Sequence, residues 1–357
     1  MLKLLELFGG IGACSKALER LEIDYEIADY VEIDKYAVAS YNAIHGTHFE
    51  PQDIREWDKD IDVDLIMHGS PCQDFSVAGK GMGGDEGSGT RSSLMYETIR
   101  IVNKLKPKYV IWENVKNLLS KKHKHNFDKY VITMNNLGYN SYYQVLNAKD
   151  YGIPQNRERV FTISIRQDVD MGYTFPEKQE LKLKLKDMLE NEADEKYYLS
   201  DEQIEKIVHN NYRQTRDRIQ DKEISDTLCA RDWKDPKCIE VADFRYDEGI
   251  RIRKNNLSPT LTRKTGEASV SGQPLIIKKG TKQRIRKLTP KECWRLMGFD
   301  DSDFDKASKV NSNSQLYKQT GNSIVVNVLE GILENLLIKE NEFEGQITFD
   351  ILRRKDG

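Results

Sequence analysis

Along the first 166 residues, short apolar runs alternate with stretches of helical period. Residues 4–8 read as a buried strand, and 11–21 as a helix that gathers Ala13, Ala17, Leu18 and Leu21 on one face. A strand at 27–31, a helix at 35–44, a strand at 63–67 and a helix at 94–105 closed by Pro107 follow. Strands at 109–112, 142–146 and 159–165, with a helix at 127–137 ended by Gly138, continue the series. Strand alternating with helix predicts an α/β fold: a mostly parallel sheet with helices on both faces. Ligands of such sheets bind beyond the carboxyl ends of the strands.

The rhythm changes after residue 167. Residues 178–222 are highly charged and poor in apolar side chains, and 223–285 hold short, irregular strand-like pieces. Two pieces look alike, Ile224-Ser225-Asp226-Thr227-Leu228 and Leu257-Ser258-Pro259-Thr260-Leu261. Two copies are too few for a repeat architecture. A helical pattern returns at 324–338. The expected division is therefore a first domain at 1–167, a smaller irregular β-rich domain at 168–305, and a segment at 306–357 returning to the first.

Composition narrows the class. No apolar run reaches the roughly 18 residues of a membrane span, and the N-terminus lacks a signal-peptide pattern. The five cysteines are scattered and without paired spacing, which argues for a reducing compartment and against a disulfide framework or a zinc site. A cytoplasmic protein with no membrane attachment is expected. The formal net charge of -3 hides an asymmetry: residues 1–70 carry fifteen acidic and six basic side chains, whereas 251–291 carry twelve basic and one acidic. The second stretch is the footprint of a polyanion partner or, standing alone, a solvated basic face.

The chemistry lies in the loops. Phe8-Gly9-Gly10-Ile11-Gly12 leads from the first strand straight into a helix, and glycines there let a ligand approach the helix N-terminus. Glu32 follows the second strand, where a carboxylate can accept both hydroxyls of a ribose. Asp53 follows at a third loop, where it could accept from an adenine amine. Together these point to a nucleoside cofactor. Gly69-Ser70-Pro71-Cys72-Gln73 follows the next strand and puts a thiol over the same crevice. A lone cysteine is more often a small buried hydrophobe, but the glycine-rich stretch at 79–90 reads as a lid over a closing site. Glu113-Asn114-Val115 brings an acid to the same sheet edge, and Gln155-Asn156-Arg157-Glu158-Arg159 brings two arginines to a strand start.

With those residues in place the chain resembles the bacterial and phage DNA (cytosine-5)-methyltransferases. The glycine loop resembles the family's first motif, Pro71-Cys72-Gln73 its nucleophile motif and Glu113-Asn114-Val115 its acid motif. Gln155-x-Arg157-x-Arg159 is similar to its arginine motif. Residues 286–293 with Leu296-Met297-Gly298-Phe299 resemble the ninth motif, and Gln319-Thr320-Gly321-Asn322-Ser323 the tenth. The order is the family's, and the gap of about 125 residues before the ninth motif is where the family keeps its target recognition domain. The resemblance implies a Rossmann-like sheet that binds S-adenosylmethionine, with Phe8, Gly9, Gly10, Gly12, Glu32, Ile33, Asp53, Ile54, Pro71, Asn322 and Ser323 around the cofactor. It implies Cys72 as nucleophile, Glu113 as the acid that holds and protonates the cytosine ring, and Arg157 and Arg159 as its anion-side supports. DNA contacts are implied for Gln73, Ser76, Ser88, Arg91, Thr260, Leu261, Arg263 and Lys264. Thr260-Leu261 is preferred over Thr227-Leu228 as the family's threonine-leucine pair because it lies in the basic stretch. Three positions depart from the family's habit: Glu6 where Asp is common, and Ser70 and Ile33 where aromatic residues are common.

The implied partner is double-stranded DNA. A restriction endonuclease would be a functional rather than a physical partner, and the enzyme is expected to be a monomer. Addition of the Cys72 thiolate to carbon 6 would make carbon 5 nucleophilic toward a methyl sulfonium, with Glu113 meeting the charge at ring nitrogen 3. The base must leave the stack first. A tRNA cytosine-5 methyltransferase and a catalytically silent DNA-binding relative are the alternatives. The long recognition segment speaks against the first, and the intact Cys72, Glu113 and Arg159 against the second.

Overall fold

The computed structural model describes residues 1–71, 94–200, 202, 224–230, 238–241 and 284–338. The chain forms two compact units. The larger takes in Met1–Glu190, Lys222–Asp235 and Pro290–Gly357, the smaller Asn191–Asp221 and Pro236–Thr289. Residues 168–190 and 290–305, assigned from sequence to the second domain, lie in the larger unit.

The larger unit is built on a six-stranded sheet. Its strands are β1 (Leu2–Leu7), β2 (Tyr25–Val31), β3 (Leu65–His68), β4 (Tyr109–Val115), β5 (Tyr139–Asn147) and, after the short β6 (Gln155–Asn156), β7 (Glu158–Arg166). The order across the sheet is β2-β1-β3-β4-β7-β5. The first four are parallel, and β7 runs antiparallel to both β4 and β5. The order reverses between β1 and β3: the chain moves outward from β1 to β2, then returns to the far side of β1. A crevice opens at such a switch point, beyond the carboxyl ends of the strands.

Both faces of the sheet are buried, as near-continuous apolar strands require. Leu5, Leu7, Ile66, Val110, Trp112 and Val160 share one core with α3 (Met95–Leu105) and α4 (Lys124–Asn136), through Met95, Ile101, Phe127, Tyr130 and Met134. The alternate residues Leu4, Met67 and Ile111 are buried on the other side. Helix α1 (Ala13–Arg20) packs there against Val326–Leu333, and α2 (Lys35–His45) packs against Asp301–Ser308. Asp34 caps α2 by accepting from the Tyr36 amide. The run Asn313–Ile338 is apolar and long enough by composition to cross a membrane. It is broken into separate helices, and Leu316, Val326, Leu329, Ile332, Leu333 and Leu336 are buried in the core.

Up to residue 166 the elements lie where the sequence placed them, with some ends set short, while the helices Pro290–Arg295, Asp301–Ser308 and Asn313–Asn322 went unread. The strand expected at 109–112 runs on to Val115, because its ladder with β7 continues to the pairs Glu113↔Phe161 and Val115↔Arg159. The strand expected at 142–146 is Tyr139–Asn147, paired with β7 over its full length. The helix expected from residue 11 begins at Ala13, after a left-handed turn at Gly12. In the smaller unit, β9 (Cys238–Val241) pairs antiparallel with β10 (Arg284–Lys287). A further bridge there joins Tyr198 to Arg286.

Candidate active site

The loop after β1 is wound through three positive φ angles: Phe8 at 54°, Gly10 at 57° and Gly12 at 80°. Phe8 is not a glycine, so this conformation costs on the order of 1–3 kcal/mol, and such strain collects where a loop is shaped for a ligand. At Gly12 a side chain is excluded twice over, since a Cβ would also lie 2.2 Å from His45 Nε2. The Tyr30 hydroxyl donates to the Gly10 carbonyl at 2.7 Å, holding the loop against β2. A Cβ on Gly10 would meet nothing within 4 Å, so the loop faces open space.

Glu32 stands just past β2. Its carboxylate accepts from the Gly10 amide at 3.2 Å and the Asp34 amide at 2.9 Å, tying the glycine loop to the start of α2. Burial pushes its pKa above the ordinary carboxylate value, opposed by these amides. Ile33 beside it is 65% exposed, an apolar surface at the crevice mouth. Asp53 is gripped by the Arg55 guanidinium and amide, which hold its carboxyl below the ordinary value. Ile54 turns into the core instead, packing with Val31, Trp57 and Met95. Asn322 is exposed, and the Ser323 hydroxyl donates to the Ile324 carbonyl at 3.2 Å.

One strand away, β4 carries the acid. Glu113 pairs with Arg159 of β7, Oε1 to Nε at 3.1 Å, with both side chains largely buried. Burial raises the Glu113 carboxyl above its ordinary value, and Arg159 and then Arg157 oppose the rise. A Cβ on Gly69, after β3, would lie 4.0 Å from Glu113 Oε2, so the loop leading to Cys72 starts beside the acid.

Arg157 does something other than what its motif suggested. It is 3% exposed, and its guanidinium donates to the carbonyls of Leu228 (2.9 Å), Gly321 (3.1 Å) and Ser323 (2.7 Å). Expected as a support for the reacting ring, it instead fastens two distant segments together. Gln155 assists: its Nε2 donates to the Leu296 carbonyl at 2.7 Å and its Oε1 accepts from the Leu228 amide at 3.1 Å. The Thr227 hydroxyl donates to the Asn156 carbonyl at 2.6 Å, and β8 (Ser225–Asp226) pairs parallel with β6. Thr227-Leu228, the less favoured threonine-leucine pair, is thus docked on the arginine motif. Cys72, Gln73, Ser76, Ser88, Arg91, Thr260, Leu261, Arg263 and Lys264 lie outside the described residues.

Sequence reading missed the contacts that hold Ser70, two residues before Cys72. The Trp112 indole N–H donates to Ser70 Oγ at 3.0 Å, and Asn114 Nδ2 donates to the Ser70 carbonyl at 3.3 Å. The one available signal was that both donors flank Glu113 in the chain.

The glycine loop, Glu32 and the Glu113–Arg159 pair all meet the strand ends on the side where the sheet order reverses. By architecture this is an α/β protein of the class whose ligands enter at that edge. Similarity to known proteins narrows the class. The pattern of the C-5 cytosine-specific DNA methylase family matches residues 2–337. The chain is 36% identical to the type II methyltransferase M2.ScrFI of Lactococcus lactis subsp. cremoris, over 94% of this chain and 99% of that protein. It is 31% identical to the orphan methyltransferase M.SPBetaI of Bacillus phage SPbeta, over 94% and 97%. The S. pombe Dnmt2 methyltransferase shares the fold, with a TM-score of 0.63 at 20% identity over 94% of this chain and 98% of that one. The chain belongs to the C-5 cytosine-specific DNA methylase family, and its activity is that of a DNA cytosine methyltransferase.

Proposed function

We propose that the protein methylates carbon 5 of a cytosine extruded from duplex DNA, through a transient bond between Cys72 and carbon 6, with S-adenosylmethionine as methyl donor. The observation that carries this reading is the buried Glu113–Arg159 pair beside the loop that leads into Cys72.

The crevice residues fit such a donor. The open side of the Gly10 turn leaves room for close approach, and Glu32 and Asp53 retain acceptor lone pairs for ribose hydroxyls and an adenine amine. Exposed Ile33 offers an apolar face to the adenine. When bound, the cofactor supplies an electrophilic methyl on a sulfonium.

The chain's own residues do the rest. The Cys72 thiolate adds to carbon 6 and the pyrimidine π electrons shift toward ring nitrogen 3, where Glu113 donates a proton. Burial raises its pKa, so it keeps that proton to higher pH than an exposed carboxyl would. Arg159 holds the Glu113 carboxyl in place and keeps positive charge beside the ring. After transfer, loss of the carbon-5 proton returns an electron pair to the ring, the carbon–sulfur bond breaks and the thiolate leaves. Extruding the base costs a few kcal/mol; Gln73, Ser76, Ser88 and Arg91 are assigned to hold the opened duplex.

Target recognition falls to the smaller unit, with Arg263 and Lys264 on phosphates and Thr260-Leu261 near the base edges. We place the enzyme in the cytoplasm as a monomer. Relatives named both as type II and as orphan methyltransferases support either pairing with a restriction endonuclease or solitary action. The test is methyl-tritium incorporation into duplex DNA, with tRNA run alongside. Wild type should label DNA alone, and Cys72→Ser should label neither while still binding DNA. Turnover by Cys72→Ser would refute the covalent route.

A further inference from the structure

Ser70 stands two residues before Cys72, and it is 4% exposed. β4 grips it at two points, the Trp112 indole N–H on its hydroxyl and the Asn114 amide on its carbonyl. Trp112 is itself buried, 1% exposed. Its ring lies 4.1 Å from that of Tyr130 and stacks on His68, with centroids 5.7 Å apart and planes within 4°. His68, the last residue of β3, shares a hydrogen bond with the Tyr130 hydroxyl at 3.2 Å. Side chains alternate along a strand, so Trp112 and Asn114 project to one side of β4 while Glu113 between them projects to the other.

We propose that the Trp112–Ser70 hydrogen bond is a positioning contact for the nucleophile. It fixes the backbone two residues before the thiol and does so from the strand that carries the acid. Pro71, whose ring locks φ, transmits that orientation with one soft torsion fewer. Two residues of chain span at most about 7 Å, so a shift at Ser70 has little backbone in which to dissipate before Cys72. Misplacement of a reacting group by about 1 Å can lower a rate 100-fold. Asn114 holds only the Ser70 carbonyl, which any residue supplies. The hydroxyl contact is particular to serine or threonine here, and the proposal concerns that contact.

The inference rests on the Cys72 chemistry, and one experiment separates the two. Duplexes carrying 5-fluorocytosine halt the reaction after methyl transfer and accumulate the covalent complex. The adduct rate is measured at saturating DNA and S-adenosylmethionine for wild type, Ser70→Ala, Ser70→Thr, Trp112→Phe and the Ser70→Ala/Trp112→Phe pair, with DNA affinity and melting temperature alongside. Ser70→Ala should slow adduct formation about tenfold with DNA affinity within twofold of wild type. Ser70→Thr should recover most of the rate. The double variant should be no slower than Trp112→Phe alone, since both remove one bond. Ser70→Ala trapping at the wild-type rate, or losing rate only in step with its folded fraction, would overturn the proposal while leaving the covalent route standing. No adduct from wild type would overturn both.

Discussion

Arg157 is the residue at which motif and structure assign different work, and replacing it with methionine decides between them. Methionine keeps the length and apolar stem of the side chain but removes the donors to the carbonyls of Leu228, Gly321 and Ser323. A hydrogen bond from a charged group contributes about 1.5–3 kcal/mol, and a buried acceptor left alone costs about 1–3 kcal/mol. All three bonds leave with one guanidinium, so they do not add independently, and a net loss of about 3–5 kcal/mol, below the sum of three such contacts, is expected. For the larger unit of about 270 residues, with an unfolding entropy near 2.1 cal/mol/K per residue, that loss lowers the melting temperature by about 5–9 °C. The assay is calorimetry without DNA or cofactor, followed by urea titration at 25 °C, and by kcat and KM on duplex DNA below the new transition. The structural reading expects a large fall in melting temperature, with kcat of the folded fraction changed less than about tenfold. If the guanidinium instead served the reacting base, kcat would drop about 100–1000-fold, the scale of a lost oxyanion-type donor, with melting unchanged. That second outcome would refute the argument.

The Gly321 contact belongs to the same seam. A Cβ there would come within 1.9 Å of the Ala230 amide nitrogen, which is backbone and yields little. Gly321→Ala should destabilise by about 1–3 kcal/mol and combine with Arg157→Met to less than the sum of the two, as read by urea titration. Arg159→Gln removes the largest charge opposing the upward shift of Glu113. A proton donor fails once pH rises through its pKa, and losing Arg159 raises that pKa, so the alkaline limb of kcat should move to higher pH in this variant, on a lower plateau. An unmoved limb would mean Glu113 is not the group that sets it. Arg55→Ala frees the Asp53 carboxylate from a solvent-exposed partner. Exposed ion pairs are worth under about 1 kcal/mol, so calorimetric affinity for S-adenosylmethionine should rise two- to fivefold. Weaker binding would show that Arg55 orients Asp53 rather than competing for it.

What the sequence disclosed was local. The glycine turn, the acid after β2 and the cysteine loop after β3 are each written within a few consecutive residues, because turns and strand ends depend on neighbours in the chain. The role of Gln155 is not written there. Its two bonds reach Leu228 and Leu296, 73 and 141 positions away, and no periodicity records them. The same holds for Arg157, which as an arginine at a strand start looked like a surface or substrate-facing residue and proves to be buried. Ile54 entered the pocket list through the family resemblance alone, and its side chain lies in the core.

The largest gap concerns the direction of β7. Strand alternating with helix implied a mostly parallel sheet, and for β1 to β4 it is. The pairing of Glu113 with Arg159 depends on the exception. Because β7 runs antiparallel to β4, its first residues meet the last of β4, with Arg159 opposite Val115 and Ile165 opposite Tyr109. Were β7 parallel over the same span, Arg159 would fall beside Tyr109, four residues and about 13 Å along the strand from Glu113. No ion pair spans that gap, and the acid would stand buried without its opposing charge. The connection needed for the reversal is short: β5 ends at Asn147 and β7 begins at Glu158, too few residues for the helical crossover that a parallel neighbour requires. Chain length between those strands therefore dictates their antiparallel pairing, and that pairing in turn brings the guanidinium to the acid.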